Sequence, residues 1–180
     1  MEVSEDSQAV SVARRLAAGI VAVTGRNVAW LLLVLVLIIF SVVVLRYGMN
    51  LGWIWLQELV VYLHSAVFLL AIAWTFQVDQ HVRVDIFYRD KSPRHKAWVN
   101  LMGTLLFVVP FCVFLFWIGW DYVMASWSVL EGSREAGGLN FVYALKTLIL
   151  LLPVLLLLQT CDTIPRCISI IRSSPDRVRS

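Results

Sequence analysis

The sequence predicts an all-α membrane protein with four transmembrane helices and an N-terminal amphipathic segment at the membrane interface. Of its 180 residues, 60% are apolar and only 15% are charged, with a mean hydropathy of +0.80; soluble domains are about 45–50% apolar and about 25% charged. Four stretches lack Asp, Glu, Lys and Arg: 27–45, 59–78, 97–120 and 147–161. A bilayer core needs about 20 apolar helical residues. The first three stretches suffice, and the fourth does if it begins near Leu139, with Lys146 at the water interface.

This pattern excludes several other classes of protein. Nearly the whole chain lies in or beside the bilayer, which leaves no room for a separate soluble catalytic domain, so we expect no enzyme. The apolar runs are continuous and do not alternate with polar residues, which argues against a β-barrel. The three cysteines, Cys112, Cys161 and Cys167, form no CxxC pair, so neither a disulfide framework nor a thiol redox motif is indicated.

The N-terminal segment, 1–27, is predicted to contain an interfacial helix. Its apolar residues recur at helical spacing, and Arg14 and Arg15 are placed to reach lipid headgroups; the apolar set is Val10, Ala13, Leu16, Ala17 and Ile20. A frayed polar leader is an equal alternative up to Ser7. The first span, Val28 to Leu45, is followed by Arg46 and Tyr47 without a small-residue cleavage site, so we expect it to be retained.

The membrane domain is predicted over 28–162. The second span follows an aromatic-rich turn in which Trp53 and Trp55 mark a membrane interface, and Trp74 marks the opposite one. The third span is predicted from Lys96 to Tyr122 with a mild kink at Pro110. The fourth is predicted from Asn140 to Thr160 and contains Pro153, and the remainder, 163–180, is predicted to be a basic tail.

The distribution of Lys and Arg predicts the orientation. Twelve lie in the N-terminal segment, the 79–96 connection and the tail, whereas three lie on the other side, at Arg46, Arg134 and Lys146. Because positive residues remain on the cytoplasmic side, both termini and the 79–96 connection are expected to be cytoplasmic. The 46–58 and 121–146 connections are then expected to face outward. The net charge of +3 therefore reflects topology and does not indicate nucleic-acid binding.

The spans fit poorly with two kinds of membrane chemistry, haem binding and solute transport by a single chain. Bis-histidine haem ligation needs two facing histidines, but His64 is the single intramembrane one. Its favoured interpretation is a polar residue hydrogen-bonded across helices with Ser65. A stand-alone transporter would carry charges and broken helices near the midplane, which these spans lack. A membrane subunit that supports a separate catalytic or transporting chain fits better, and no cofactor or metal is expected.

Several short motifs resemble one family. Arg46-Tyr47 closes the first span, and Trp55-Leu56-Gln57-Glu58-Leu59 opens the second. His81-Val82-Arg83-Val84-Asp85 and Ser92-Pro93-Arg94 follow in order. Together with the four-span layout over 28–162, these motifs resemble the small membrane subunit of tripartite ATP-independent periplasmic (TRAP) transporters, the DctQ family. The resemblance implies a bacterial inner-membrane protein that braces a large sodium-coupled subunit (M), while a periplasmic solute-binding protein (P) delivers the solute.

The predicted outer loop departs from the commoner family pattern. Residues 131–139, with Tyr143 to Lys146 and Gln159, resemble a branch linked to mannitol, chloroaromatic compounds and 2-oxo acids. Because these labels disagree chemically, the resemblance implies only an organic solute, with a carboxylate favoured. Within the loop, Glu131, Arg134 and Glu135 are candidate contact residues.

The other candidate contact residues lie at the ends of the second span. Glu58 has two open interpretations: it accepts hydrogen bonds from the free backbone donors at the helix start, or it pairs with Arg46 or the large subunit. His81, Arg83 and Asp85 are expected to tie the inner end of the second span to neighbouring helices, unless they belong to a plain solvated loop. Trp53, Trp55 and these polar residues are candidates for contact with partner subunits or membrane phospholipids. The rival function is a membrane anchor for a redox or signalling complex.

Overall fold

The structure is a computed structural model that describes residues 2–77 and 91–173, with side chains described for 19–76 and 91–173. Within this part of the chain there are α-helices and two π-helical segments but no strand. Four stretches are long and apolar enough to cross a membrane: Gly19–Gly48, Ile54–Phe76, Pro93–Ser128 and Val142–Ser173. The predicted all-α class with four spans is confirmed.

The first span belongs to a long helix, α1, which runs over Glu2–Val43 and continues as a π-helical turn over Val44–Gly48. The segment predicted to lie at the interface is helical, as expected, but no break separates it from the first span. The side chains of residues 2–18 lie outside the described part, so their position at the interface remains a prediction. From Gly19 onward the segment belongs to the first span, and Val21 lies in the core. The second span is α2, Ile54–Gln77.

The third span consists of α3, Pro93–Gly103, a π-helical segment, Thr104–Val108, and α4, Val109–Ser128. Ser92 caps α3 by accepting a hydrogen bond from the backbone N–H of His95 at 3.3 Å, which places the helix start at Pro93 and not at Lys96. The π-helical segment ends at Val108, two residues before Pro110. Since proline has no N–H to donate, the helix changes its hydrogen-bond register there.

The fourth span, α5, covers Val142–Ser173 and is longer than predicted. It does not end at Thr160, and Pro153 and Pro165 both lie inside it. From Ile164 onward, its apolar residues pack on the start of α3 in a cluster that contains Ala97, Leu101 and Cys167, with Ile164, Ile168 and Ile171 against them. The spacing of these isoleucines is that of one helix face, which explains why the helix continues through residues predicted to form a tail.

α5 is the central helix, because it contacts each of the other four. In the most apolar 18-residue stretch of α5, 33% of the residues are buried within the chain, compared with 6–11% in the corresponding stretches of the other spans. The main core is built from Val21, Ala73, Cys112, Leu152, Leu155 and Leu156. The connections 49–53 and 129–141 lie at one end of the bundle, called the loop end here, and the start of α3 and the end of α5 lie at the opposite end.

Candidate functional site: polar clusters at the loop end

Glu58 joins α2 to the connection between α4 and α5. It lies in the second turn of α2, and its carboxylate accepts hydrogen bonds from the hydroxyl of Ser133 and from the backbone N–H of Leu139, the latter at 2.6 Å. Hydrogen bonds to a charged acceptor are stronger than those between neutral groups. The carboxylate therefore fixes both ends of the 133–139 loop on the second span.

The loop itself is folded by short-range hydrogen bonds. The backbone N–H of Ser133 donates to the carbonyl of Leu139 at 3.0 Å, and that of Glu135 donates to Ser133 Oγ at 3.1 Å. Gly137 has φ +81°, and a Cβ atom on Gly138 would lie 2.5 Å from Cβ of Ser133 and 2.7 Å from Glu58 Oε2. The conformation thus needs glycine at both positions, at the first for its positive φ and at the second for its close approach to the side chains of Ser133 and Glu58.

A second cluster centres on Lys146, near the start of α5. Its ammonium group donates to Glu131 Oε2 at 2.5 Å and lies 4.0 Å from the centroid of the Tyr122 ring in α4. The Lys146 hydrogen bond lowers the pKa of the Glu131 carboxyl below its ordinary value of 4.5. A cation over an aromatic face and beside a carboxylate is held by both contacts, so Lys146 ties α5 to α4 and to the loop.

Trp127, in the last turn of α4, provides a third link. Its indole N–H donates to Thr147 Oγ1 at 2.9 Å, and its ring makes an edge contact with Tyr143, with centroids 4.7 Å apart. Because the indole N–H has a partner, the ring can remain between the two helices at little polar cost. The ends of α4 and α5 are therefore fastened by polar and aromatic contacts.

The structure corrects two of the predicted contacts of Glu58, whereas its pairing with the large subunit stays a prediction. No ion pair between Arg46 and Glu58 occurs in the described residues, and Arg46 is exposed. Nor does Glu58 accept hydrogen bonds from the first turn of α2, because it lies beyond that turn and faces the loop. Its partners were missed because they are distant in sequence. The signals that could have found them are the adjacent glycines 137 and 138 and an acidic residue at the edge of an apolar run.

The remaining predicted residues at this end are exposed. Trp53 and Trp55 stack on one another with ring centroids 6.2 Å apart. Of the three loop candidates, Glu131 is used internally by Lys146, whereas Arg134 and Glu135 point outward and leave their side chains accessible. The two tryptophans, Arg46, Arg134 and Glu135 are thus available for contacts with lipid or partners, whereas Glu58 and Glu131 have partners within the chain.

His81, Arg83 and Asp85 lie outside the described residues, so their predicted role remains a prediction. Within the described residues His64 is not hydrogen-bonded across helices as predicted: it is exposed and stacks on Phe68 of the same helix, with ring centroids 6.4 Å apart. Among residues 19–76 and 91–173, no group of three or more His, Cys, Asp and Glu side chains is placed to hold a metal ion.

The position of the charged groups limits what the spans can do. In the described part of the chain, Glu58, Glu131 and Lys146 lie at the loop end, whereas Asp162 and Arg166 lie near the opposite end, 2.6 Å apart. A transport pathway for ions would place such groups near the middle of the bilayer. The arrangement joins helices and loops to one another.

The fold and the loop-end contacts together define a membrane protein with four spans. Its polar clusters link the helices to one another and to the loop between α4 and α5. Residues 35–169 match the family described as "Tripartite ATP-independent periplasmic transporters, DctQ component". Since the match covers most of the chain, the protein belongs to the DctQ family, the small membrane component of TRAP transporters. Neither curated proteins nor solved structures include a significant match to it.

Proposed function

We propose that this small TRAP subunit braces the large, sodium-coupled M subunit during uptake of an organic solute, with a carboxylate favoured. A periplasmic solute-binding protein delivers that solute. The proposed location is the bacterial inner membrane with both termini in the cytoplasm, in agreement with the twelve positive residues on one side and three on the other. The loop end then faces the periplasm.

The observation that supports a bracing role most directly is an aromatic face on the third span, formed by the π-helical segment and α4. Phe107, Phe111, Phe114 and Ile118 follow one another at helical spacing, and Trp117 lies beside them; all are more than half exposed. A groove on this face is lined only by apolar residues. In lipid, helices associate by close packing and not by a hydrophobic driving force. Large, stiff rings that stay more than half exposed among the described residues provide a surface suited to a partner helix.

α1 also carries an exposed face, in which the aliphatic residues Leu33, Val36 and Leu37 lie between Trp30 and Phe40. The flexible aliphatic side chains of this middle part resemble lipid tails, so we assign the middle part to lipid. This difference supplies a matched control for an assembly experiment.

The test is co-purification with the large subunit. Phe114→Ala combined with Trp117→Ala is expected to reduce recovery of the complex strongly, whereas Leu33→Ala combined with Leu37→Ala leaves it unchanged. Equal losses in both double variants, or none in either, would contradict the bracing surface. In proteoliposomes, the small subunit alone is expected to catalyse no uptake. With the large subunit and the binding protein, it should support sodium-dependent uptake.

A further inference from the structure

The end of the bundle opposite the loop carries a cationic surface that the proposed bracing role does not use. It is formed by the residues that begin the third span and by those that end α5. Residues 91–103 and 162–173 contain five cationic side chains: Lys91, Arg94, Lys96, Arg166 and Arg172. Asp162 is the single carboxylate in these two stretches. The group of five cations is called the basic surface below.

Packing brings the two halves of the basic surface together. Ala97 and Leu101 of α3 and Cys167 of α5 form one buried cluster, and Ile171 packs against it. Because the two helices run in opposite directions, Arg172 lies near the depth of the first turn of α3. The surface therefore exists only because α5 continues past Pro165 and packs on α3.

The five cationic side chains differ in their exposure and in their contacts within the protein. Lys91 and Arg172 are exposed. Arg166 pairs with the buried Asp162 at 2.6 Å, yet 64% of its side chain remains accessible. Arg94 and Lys96 are half-buried and make contacts within the protein. Accessible positive charge is therefore provided by Lys91, Arg166 and Arg172. Since Asp162 offsets only one of the five cations, the two stretches together carry an excess of positive charge.

The depth of the basic surface is that of lipid headgroups. Trp98 and Trp120 are exposed tryptophans on the same span, and at 1.5 Å per residue they lie about 33 Å apart. This separation matches a hydrocarbon core about 30 Å thick with a tryptophan at each boundary. Arg94 and Lys91 lie one to two turns beyond Trp98, about 6–10 Å further out, where phosphate groups are found.

We propose that the basic surface binds the headgroup of an anionic phospholipid, with Trp98 at the level of the glycerol backbone. Charge complementarity selects the phosphate, and the positive end of the α3 helix dipole adds to it. The occupant belongs to the bilayer leaflet on this side of the membrane, so binding does not require the other transporter subunits. Each Lys or Arg close to an anionic lipid surface contributes about fivefold in affinity.

The experiment uses the full-length chain, delipidated in a neutral detergent and titrated with phosphatidylglycerol or with phosphatidylcholine of the same acyl chains. Bound lipid is counted by native mass spectrometry. We expect phosphatidylglycerol to bind at least about 25-fold more tightly than phosphatidylcholine, and its binding to weaken as salt is added. Lys91→Gln with Arg172→Gln is expected to weaken phosphatidylglycerol binding about 25-fold and to leave phosphatidylcholine unaffected.

The matched control is Arg46→Gln with Arg134→Gln, which removes two exposed cations from the loop end and is expected to change binding less than about twofold. Lys91→Arg with Arg172→Lys preserves the charge and should retain tight binding. Equal affinity for the two lipids would overturn the proposal. The proposal would also be overturned if the preference for phosphatidylglycerol remained after the Lys91→Gln and Arg172→Gln substitutions. An equal loss of phosphatidylglycerol binding in the control variant would overturn it as well.

Discussion

Gly25 of α1 packs directly against the indole ring of Trp74 in α2. A Cβ atom on Gly25 would lie 2.1 Å from Cγ of Trp74, a separation that carbon atoms not bonded to one another cannot adopt. The missing side chain therefore allows the first two spans to approach closely, as small residues commonly do between membrane helices. Trp74, predicted as an interface marker, also serves as a packing residue.

Gly25→Ala is expected to destabilise the protein. The added methyl group must displace the Trp74 ring, and overpacking of this kind costs about 1–3 kcal/mol. Thermal unfolding in detergent measures the effect. Gly19→Ala is the control, because nothing lies within 4 Å of a Cβ at that position. If both variants unfold at the same temperature, the close packing of Gly25 on Trp74 is not a stabilising feature.

Glu58→Ala is expected to release the 133–139 loop. The Leu139 amide and the Ser133 hydroxyl would lose their shared acceptor, so hydrogen exchange at the Leu139 amide should accelerate about tenfold or more. Glu135→Ala is the control, because its carboxylate is exposed and lies in the same loop. Unchanged exchange in the Glu58 variant would show that the carboxylate does not hold the loop.

Acid is expected to weaken the link between Glu131 and Lys146. In the folded protein the pKa of Glu131 lies below its ordinary value of 4.5. The ionised carboxylate therefore stabilises the fold fully above the ordinary pKa, and this stabilisation is lost as the pH falls through the lower pKa of the folded protein. Between about pH 7 and about pH 3, the melting temperature should therefore fall further in the wild type than in Glu131→Gln. Glu135→Gln should follow the wild type, and parallel curves for all three proteins would contradict the assignment.

Cysteine labelling tests the proposed orientation. In a Cys161→Ser background, Ala136→Cys is expected to react with membrane-impermeant reagents from the periplasmic side, whereas Lys91→Cys should need a permeant reagent. Both positions are exposed, so accessibility within the protein does not bias the comparison. The expectation follows from the unequal distribution of Lys and Arg, and the reverse labelling pattern would invert the assignment of both ends.

The sequence alone was sufficient for the class, the number of spans and the family. Insertion of a helix into a bilayer depends on the sum of transfer free energies over one contiguous stretch, so each span can be found without knowledge of its neighbours. The motifs around Arg46, Glu58 and Arg94 are local in the same sense, and their order along the chain led to the family that the match over 35–169 established.

The tertiary structure decided what the polar residues contact. Glu58 meets Ser133 and Leu139 only because α2 and the α4–α5 connection lie at the same end of the bundle, and no local pattern determines such a partner. The residue at which α5 ends is likewise not determined by a local pattern. Asp162, Pro165 and Arg166 resemble the close of a membrane span, since a charge is costly in lipid and proline cannot donate its hydrogen bond. The helix nevertheless continues to Ser173, because Ile164, Ile168 and Ile171 find a packing surface on α3 that exists only after the spans have assembled.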